Sequence, residues 1–147
     1  MPETVQRPDE RRLTAEYAAY RAQRISETQY DLRFVLEEDS EHFSGRATLS
    51  FRLTDAGEPL TIDFTDGEIG GLIVNGTRLE ADYNGAFIRL PAAQLVAGDN
   101  RVEIAFRHPY SRTGQGLHRF VDPADNRVYV HSHFEPYDAN RLFPCFD

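Results

Sequence analysis

The sequence is short of the residues that staple, ligate or span. One of its 147 residues is cysteine, Cys145, so no internal disulfide can form and no Cys-x-x-C metal site exists. A chain that needs no disulfide fits a reducing compartment. No stretch approaches the ~18 consecutive apolar residues of a membrane span, and the charged N-terminus has no apolar core of a signal peptide. The expectation is a cytoplasmic protein that does not enter a membrane. Positive charge is also scarce: 16 Lys and Arg against 24 Asp and Glu give a net charge of -8. An acidic surface disfavours phosphate ligands, and no basic stripe with interleaved aromatics points to nucleic acid.

What remains is enough for one domain with its own core, since a chain near this length buries roughly 68–70% of its unfolded surface. Residues 1–12 are polar, carry two prolines and lack periodicity, which predicts a mobile tail before a single β domain over 13–147. Thr14 is a good N-cap, and residues 15–24 are rich in helix formers, with Leu13, Tyr17 and either Tyr20 or Ala18 along one side. From residue 26 the apolar period changes to two. Tyr30, Leu32, Phe34 and Leu36 alternate with polar neighbours, and after the acidic turn at 37–41 a second run places Phe43, Gly45, Ala47, Leu49, Phe51 and Leu53 on one face. That pattern predicts a hairpin with one buried face. The acidic turn lacks EF-hand spacing and reads as a solvated loop.

Further short strands are predicted over 60–64, 71–74, 86–90 and 101–106. Asp66-Gly67, Asn75-Gly76, Asn84-Gly85 and Gly98-Asp99-Asn100 supply the turns. The fold class is therefore mainly β: an antiparallel β-sandwich or a strongly curved, saddle-like sheet, with one short N-terminal helix.

The last third holds the less ordinary chemistry. A strand over 127–135 puts Val128, Val130, Ser132 and Phe134 on one face and Tyr129, His131, His133 and Glu135 on the other. His131, His133 and Glu135 copy the ligand types of a two-histidine, one-carboxylate metal site. Spaced ~6.6–6.8 Å per two residues, however, they are too far apart along an extended strand to meet one ion at ~2 Å. His118, Arg119 and Asp122, with Ser111 or Ser132, have no recognised nucleophile frame such as G-x-S-x-G. Cys145, between Pro144 and Phe146, reads as a small buried residue.

This stretch also resembles a known family. The run from Thr113 to Pro123, the Phe134-Glu135-Pro136 step, the Asp138-Ala139-Asn140-Arg141 step and the ending Phe143-Pro144-Cys145-Phe146-Asp147 are similar to the N-terminal domain of bacterial aminopeptidase N, a zinc metallopeptidase of the gluzincin class. The resemblance implies a substrate-capping domain whose Glu135 binds the free α-ammonium of a peptide. His133 stands where the family usually has Gln. An imidazole accepts from an ammonium only when neutral, which makes substrate binding at His133 pH-sensitive.

The resemblance also implies Zn2+, held by a catalytic domain of the parent enzyme. Here H-E-x-x-H is absent, and G-x-M-E-N is impossible because Met1 is the sole methionine. The expectation is an incomplete N-terminal domain, inert alone, whose partners are its own catalytic domain and a peptide N-terminus, and whose open sheet edge promotes self-association. The alternative is a free-standing β-sandwich module that binds protein or carbohydrate.

Overall fold

A computed structural model describes residues 4–8, 13–37, 39–111, 116–133 and 139–146; at 116, 118 and 130–133 it describes the backbone alone. The expected helix is α1, Ala15–Arg24. The Thr14 hydroxyl accepts from the Tyr17 N–H at 3.2 Å and so satisfies one of the free first-turn donors. Its buried residues, Tyr17, Tyr20, Arg21 and Arg24, follow the i, i+3, i+4, i+7 spacing of one helical face.

Ten strands follow among the described residues: β1 Ile25–Val35, β2 His42–Leu53, β3 Leu60–Asp63, β4 Glu68–Val74, β5 Thr77–Leu79, β6 Asp82–Tyr83, β7 Phe87–Leu90, β8 Gly98–Pro109, β9 Gly116–Val121 and β10 Val128–His133. They form a five-stranded sheet in the order β1-β2-β8-β4-β5, a three-stranded sheet β3-β7-β6 and a two-stranded sheet β10-β9. Every pairing is antiparallel. The mainly β, antiparallel expectation with one helix is met.

The period of two in β2 has the expected result. Phe43, Ala47, Leu49, Phe51 and Leu53 are buried, and they join Val102, Ile104 and Phe106 of β8 and Leu72 and Val74 of β4 in one cluster. Leu60, Ile62, Ile88 and Leu90 of the three-stranded sheet and the adjoining Phe64 belong to the same cluster, so the two sheets share one core. Gly45 sits inside this face for lack of room: a Cβ there would lie 2.6 Å from Phe106 Cζ and 2.7 Å from the Arg33 carbonyl. Asn75 and Gly76, with φ of 48° and 85°, make the two-residue turn that joins β4 to β5.

Arg7 lies within the tail expected over residues 1–12. Arg7 is buried, donating from Nη1 to Thr61 Oγ1 at 3.1 Å and to the Asp63 carboxylate. Its guanidinium lies 4.0 Å from the centroid of the Phe87 ring, so an apolar surface and a buried anion together hold a residue whose charge suggested solvent.

Candidate functional site

The site is built on the β9–β10 hairpin. Leu117 roots β9 in the core, and the hairpin is tied to the main sheet's end by two backbone bonds, Ser111 N–H to the Leu117 carbonyl at 2.7 Å and Arg119 N–H to the Ser111 carbonyl at 3.0 Å. Its turn closes with the Asp122 N–H donating to the Arg127 carbonyl at 3.0 Å and with Asn126 at φ 57°. Asp122 and Asp125 each accept from a backbone N–H two residues on, Ala124 and Arg127, both at 2.9 Å. The Tyr129 hydroxyl donates to Asp125 Oδ2 at 2.6 Å. That bond holds the Asp125 carboxyl below its usual range and raises the Tyr129 phenol, because it favours the ionised acid with the neutral phenol.

The ladder sets Tyr129 opposite Phe120, His131 opposite His118, Ser132 opposite Leu117 and His133 opposite Gly116. Phe120 and Tyr129 stack at 5.4 Å and 19° while both remain exposed, and the neighbouring Val121 is 48% exposed. Beside the root of the hairpin, Glu41, His42, Pro109, Tyr110 and Arg119 line a hollow of about 240 Å³. The Arg119 guanidinium lies 5.9 Å from the Tyr110 ring centroid. Burial raises the Tyr110 phenol, with the charge of Arg119 opposing it.

The expected strand over 127–135 is thus present as β10, from Val128 to His133. Its backbone carries His131 and His133 at fixed register. Glu135, expected to bind substrate, lies outside the described residues. Among the described residues no three His, Cys, Asp or Glu side chains are placed to hold a metal ion, so none of them fits zinc. Cys145 is buried and takes part in no disulfide, as expected. No helix among the described residues is long and apolar enough to cross a membrane.

Two groups of residues escaped the sequence reading. One is β9, whose Gly116 and alternating polar residues hid a strand. The other is a buried ionic cluster around Asp63, which takes Arg7 on one oxygen and Arg21 Nη2 on the other at 2.7 Å, with side chains at most 3% exposed. Arg24 closes the same region by donating to the carbonyls of Pro59, Asp55 and Glu58 at 2.9–3.0 Å. The backbone of Asp63 pairs with Cys145 through bonds of 2.7 and 3.0 Å, which draws the segment after the hairpin onto β3. The spacing of Tyr17, Arg21 and Arg24 on one helical face was the available signal.

Comparison with known proteins agrees with this arrangement. The family model described as the peptidase M1 N-terminal domain matches residues 26–147. Aminopeptidase N of Streptomyces lividans is 32% identical over 139 residues, which cover 92% of this chain and 16% of that protein. A probable M1 family aminopeptidase of Encephalitozoon cuniculi is 35% identical over 85 residues, 52% of this chain and 10% of its own. The chain therefore spans about a sixth of the length of the Streptomyces relative. Native leukotriene A4 hydrolase from yeast superposes with a TM-score of 0.72 at 18% identity, over 86% of this chain and 21% of its own, a likeness of fold. With a family model covering nearly all of the β domain and a relative matched along most of the chain, this chain belongs to the M1 peptidase family as an N-terminal domain.

Proposed function

We propose that this domain forms the substrate-capping wall of an M1 aminopeptidase, and that Glu135 binds the α-ammonium of the peptide to be shortened. The observation that carries the reading is β10: its register is fixed by β9, β9 is rooted in the core by Leu117, and Glu135 follows two residues after the strand ends. An ammonium bound there by a charge-assisted hydrogen bond sets the distance to the first peptide bond, and a blocked N-terminus forfeits the contact. His133, in β10, adds a second acceptor when its imidazole is neutral.

Aminopeptidases of the M1 family are zinc-dependent. The metal belongs to a catalytic domain, since this chain has no H-E-x-x-H, and bound there it supplies an activated water. This chain's residues only bind and orient, so on this reading the chain alone is inert. The exposed Phe120, Val121 and Tyr129 offer an apolar face to that catalytic domain. The β1 edge, with Phe34, Val35 and Leu36 at 37–54% exposure, makes the isolated chain prone to self-association. A cytoplasmic setting accords with a chain whose single cysteine, Cys145, forms no disulfide.

The test is Glu135→Gln in the full-length enzyme. Loss of a hydrogen bond to a charged group, about 1.5–3 kcal/mol, lowers kcat/KM on substrates with a free amine by roughly 10- to 100-fold. Retention of kcat/KM within about twofold would sink the proposal. His133→Gln is expected to flatten the acid side of the kcat/KM profile, and an unchanged profile removes His133 from the site.

A further inference from the structure

The outer face of the five-stranded sheet, away from the core and from the hairpin, contains a hollow that neither the fold nor the proposed site requires. The register aligns Arg33 of β1, Arg46 of β2, Ala105 of β8 and Gly71 of β4 in one row across four strands. The next row holds Asp31, Thr48, Glu103 and Ile73, with Arg78 of β5 opposite Ile73. Arg46, Gly70, Gly71, Arg78, Ala105 and one carboxylate, Glu103, are among the residues around a depression of about 240 Å³.

Two of its features work against the stability of the sheet. Gly71 has no positive φ, and a Cβ there would meet only the Ala105 Cβ, at 3.9 Å. Neither backbone conformation nor crowding calls for glycine, and a strand glycine of that kind marks a place where a ligand or another backbone comes close. Gly70, the extra residue of the bulge between Ile69 and Gly71, widens the same floor. Arg33 and Arg46, both exposed, stand directly opposite each other, a pairing in which like charges repel.

The surrounding arginines are neutralised. Arg101 pairs with Glu103 at 3.6 Å, Arg107 with Glu68 at 3.7 Å and Arg52 with Asp99 at 2.9 Å. Among the described residues no carboxylate lies within ion-pair distance of Arg33, Arg46 or Arg78, although Asp31 occupies the neighbouring row. Glu103 also lines the hollow but pairs outward with Arg101, so Arg46 and Arg78 leave the balance there positive in a chain of net charge -8. The depression is smaller than the ~300–1,000 Å³ of pockets that enclose small molecules, and it suits one side chain carried on a close backbone.

We propose that this hollow docks an acidic segment of a partner polypeptide, with one Asp or Glu side chain seated over Gly71 between the guanidiniums of Arg46 and Arg78. Arg33 adds attraction at the rim and finds its counter-charge in the partner. All sixteen basic residues of the chain are arginines, whose planar forks grip carboxylates in two-point fashion.

The experiment is fluorescence anisotropy of a labelled, N-acetylated peptide of alternating Glu and Gly, titrated with the full chain at low salt. Saturable binding is expected, weakened roughly tenfold by Arg46→Glu and by Arg78→Glu. Gly71→Ala is expected to weaken it severalfold without lowering the melting temperature, since the added carbon meets nothing closer than 3.9 Å. The proposal is overturned by unaltered binding in Arg46→Glu or Gly71→Ala, by equal binding of the Gln-Gly peptide, or by equal binding of an oligothymidylate, which would mean unselective attraction of anions. Because neither Glu135 nor turnover enters this assay, its outcome is separate from that of the capping proposal.

Discussion

Asp63 offers the sharpest test of what holds this domain together. Its side chain is fully buried and takes two guanidiniums, Arg7 and Arg21, while its backbone pairs with Cys145. Asp63→Asn keeps the shape and one acceptor oxygen but leaves two buried cations with no anion between them. Breaking a buried pair from one side costs about 3–5 kcal/mol, and the retained oxygen argues for the lower end, about 3. Domains have about 5–15 kcal/mol in total, and at this size each kcal/mol is worth about 2–4 °C. The expected result is a fall in Tm of roughly 6–12 °C, with a lower urea midpoint at unchanged slope. Arg7→Met leaves the Arg21 bond in place and should cost less, about 1–2 kcal/mol. A loss below about 1 kcal/mol in Asp63→Asn would show that the cluster does not bear on stability, refuting the reasoning.

Gly45→Ala should destabilise by about 1–3 kcal/mol, since the Arg33 carbonyl at 2.7 Å is backbone and cannot rotate away; a thermal melt equal to the parent's would contradict the crowding described. Tyr110 makes a pH prediction. Its phenol is raised by burial, so the stability it contributes is complete below the ordinary tyrosine value near pH ~10 and declines as pH rises through the raised one. Tyr110→Phe should lessen that alkaline slope, leaving the part that the raised Tyr129 phenol contributes, and an unchanged slope would refute the role of Tyr110.

Much of the scaffold was legible because its residues obey one period at a time. Thr14 followed by strong helix formers marked α1 at its observed start, and the alternation from Phe43 to Leu53 marked β2 and its buried face. Asn75-Gly76 marked a turn that the positive φ angles confirm. The strands β5 and β6 were too short, at three and two residues, to show a period. The ionic cluster was hidden for a different reason. Charge argues for solvent, and only the partner at Asp63, 42 residues from Arg21 and 56 from Arg7, makes burial tolerable. At the candidate site, the period of two marked β10, while the motifs around it indicated the family; neither could mark β9 as the strand that fixes its register.

The Asp63–Cys145 pairing has a consequence for how the domain is made. During synthesis, β3 emerges about eighty residues before the segment that closes its edge. At ~5–20 residues per second, that edge waits on the order of 4–16 s. The β2–β8 ladder, twelve pairs long and joining positions as far apart as His42 and Pro109, adds contacts of high sequence separation that slow folding further. Over that interval the nascent chain presents hydrogen-bonding groups of β3 to any neighbour, which makes the segment around Cys145 a determinant of yield as well as of shape.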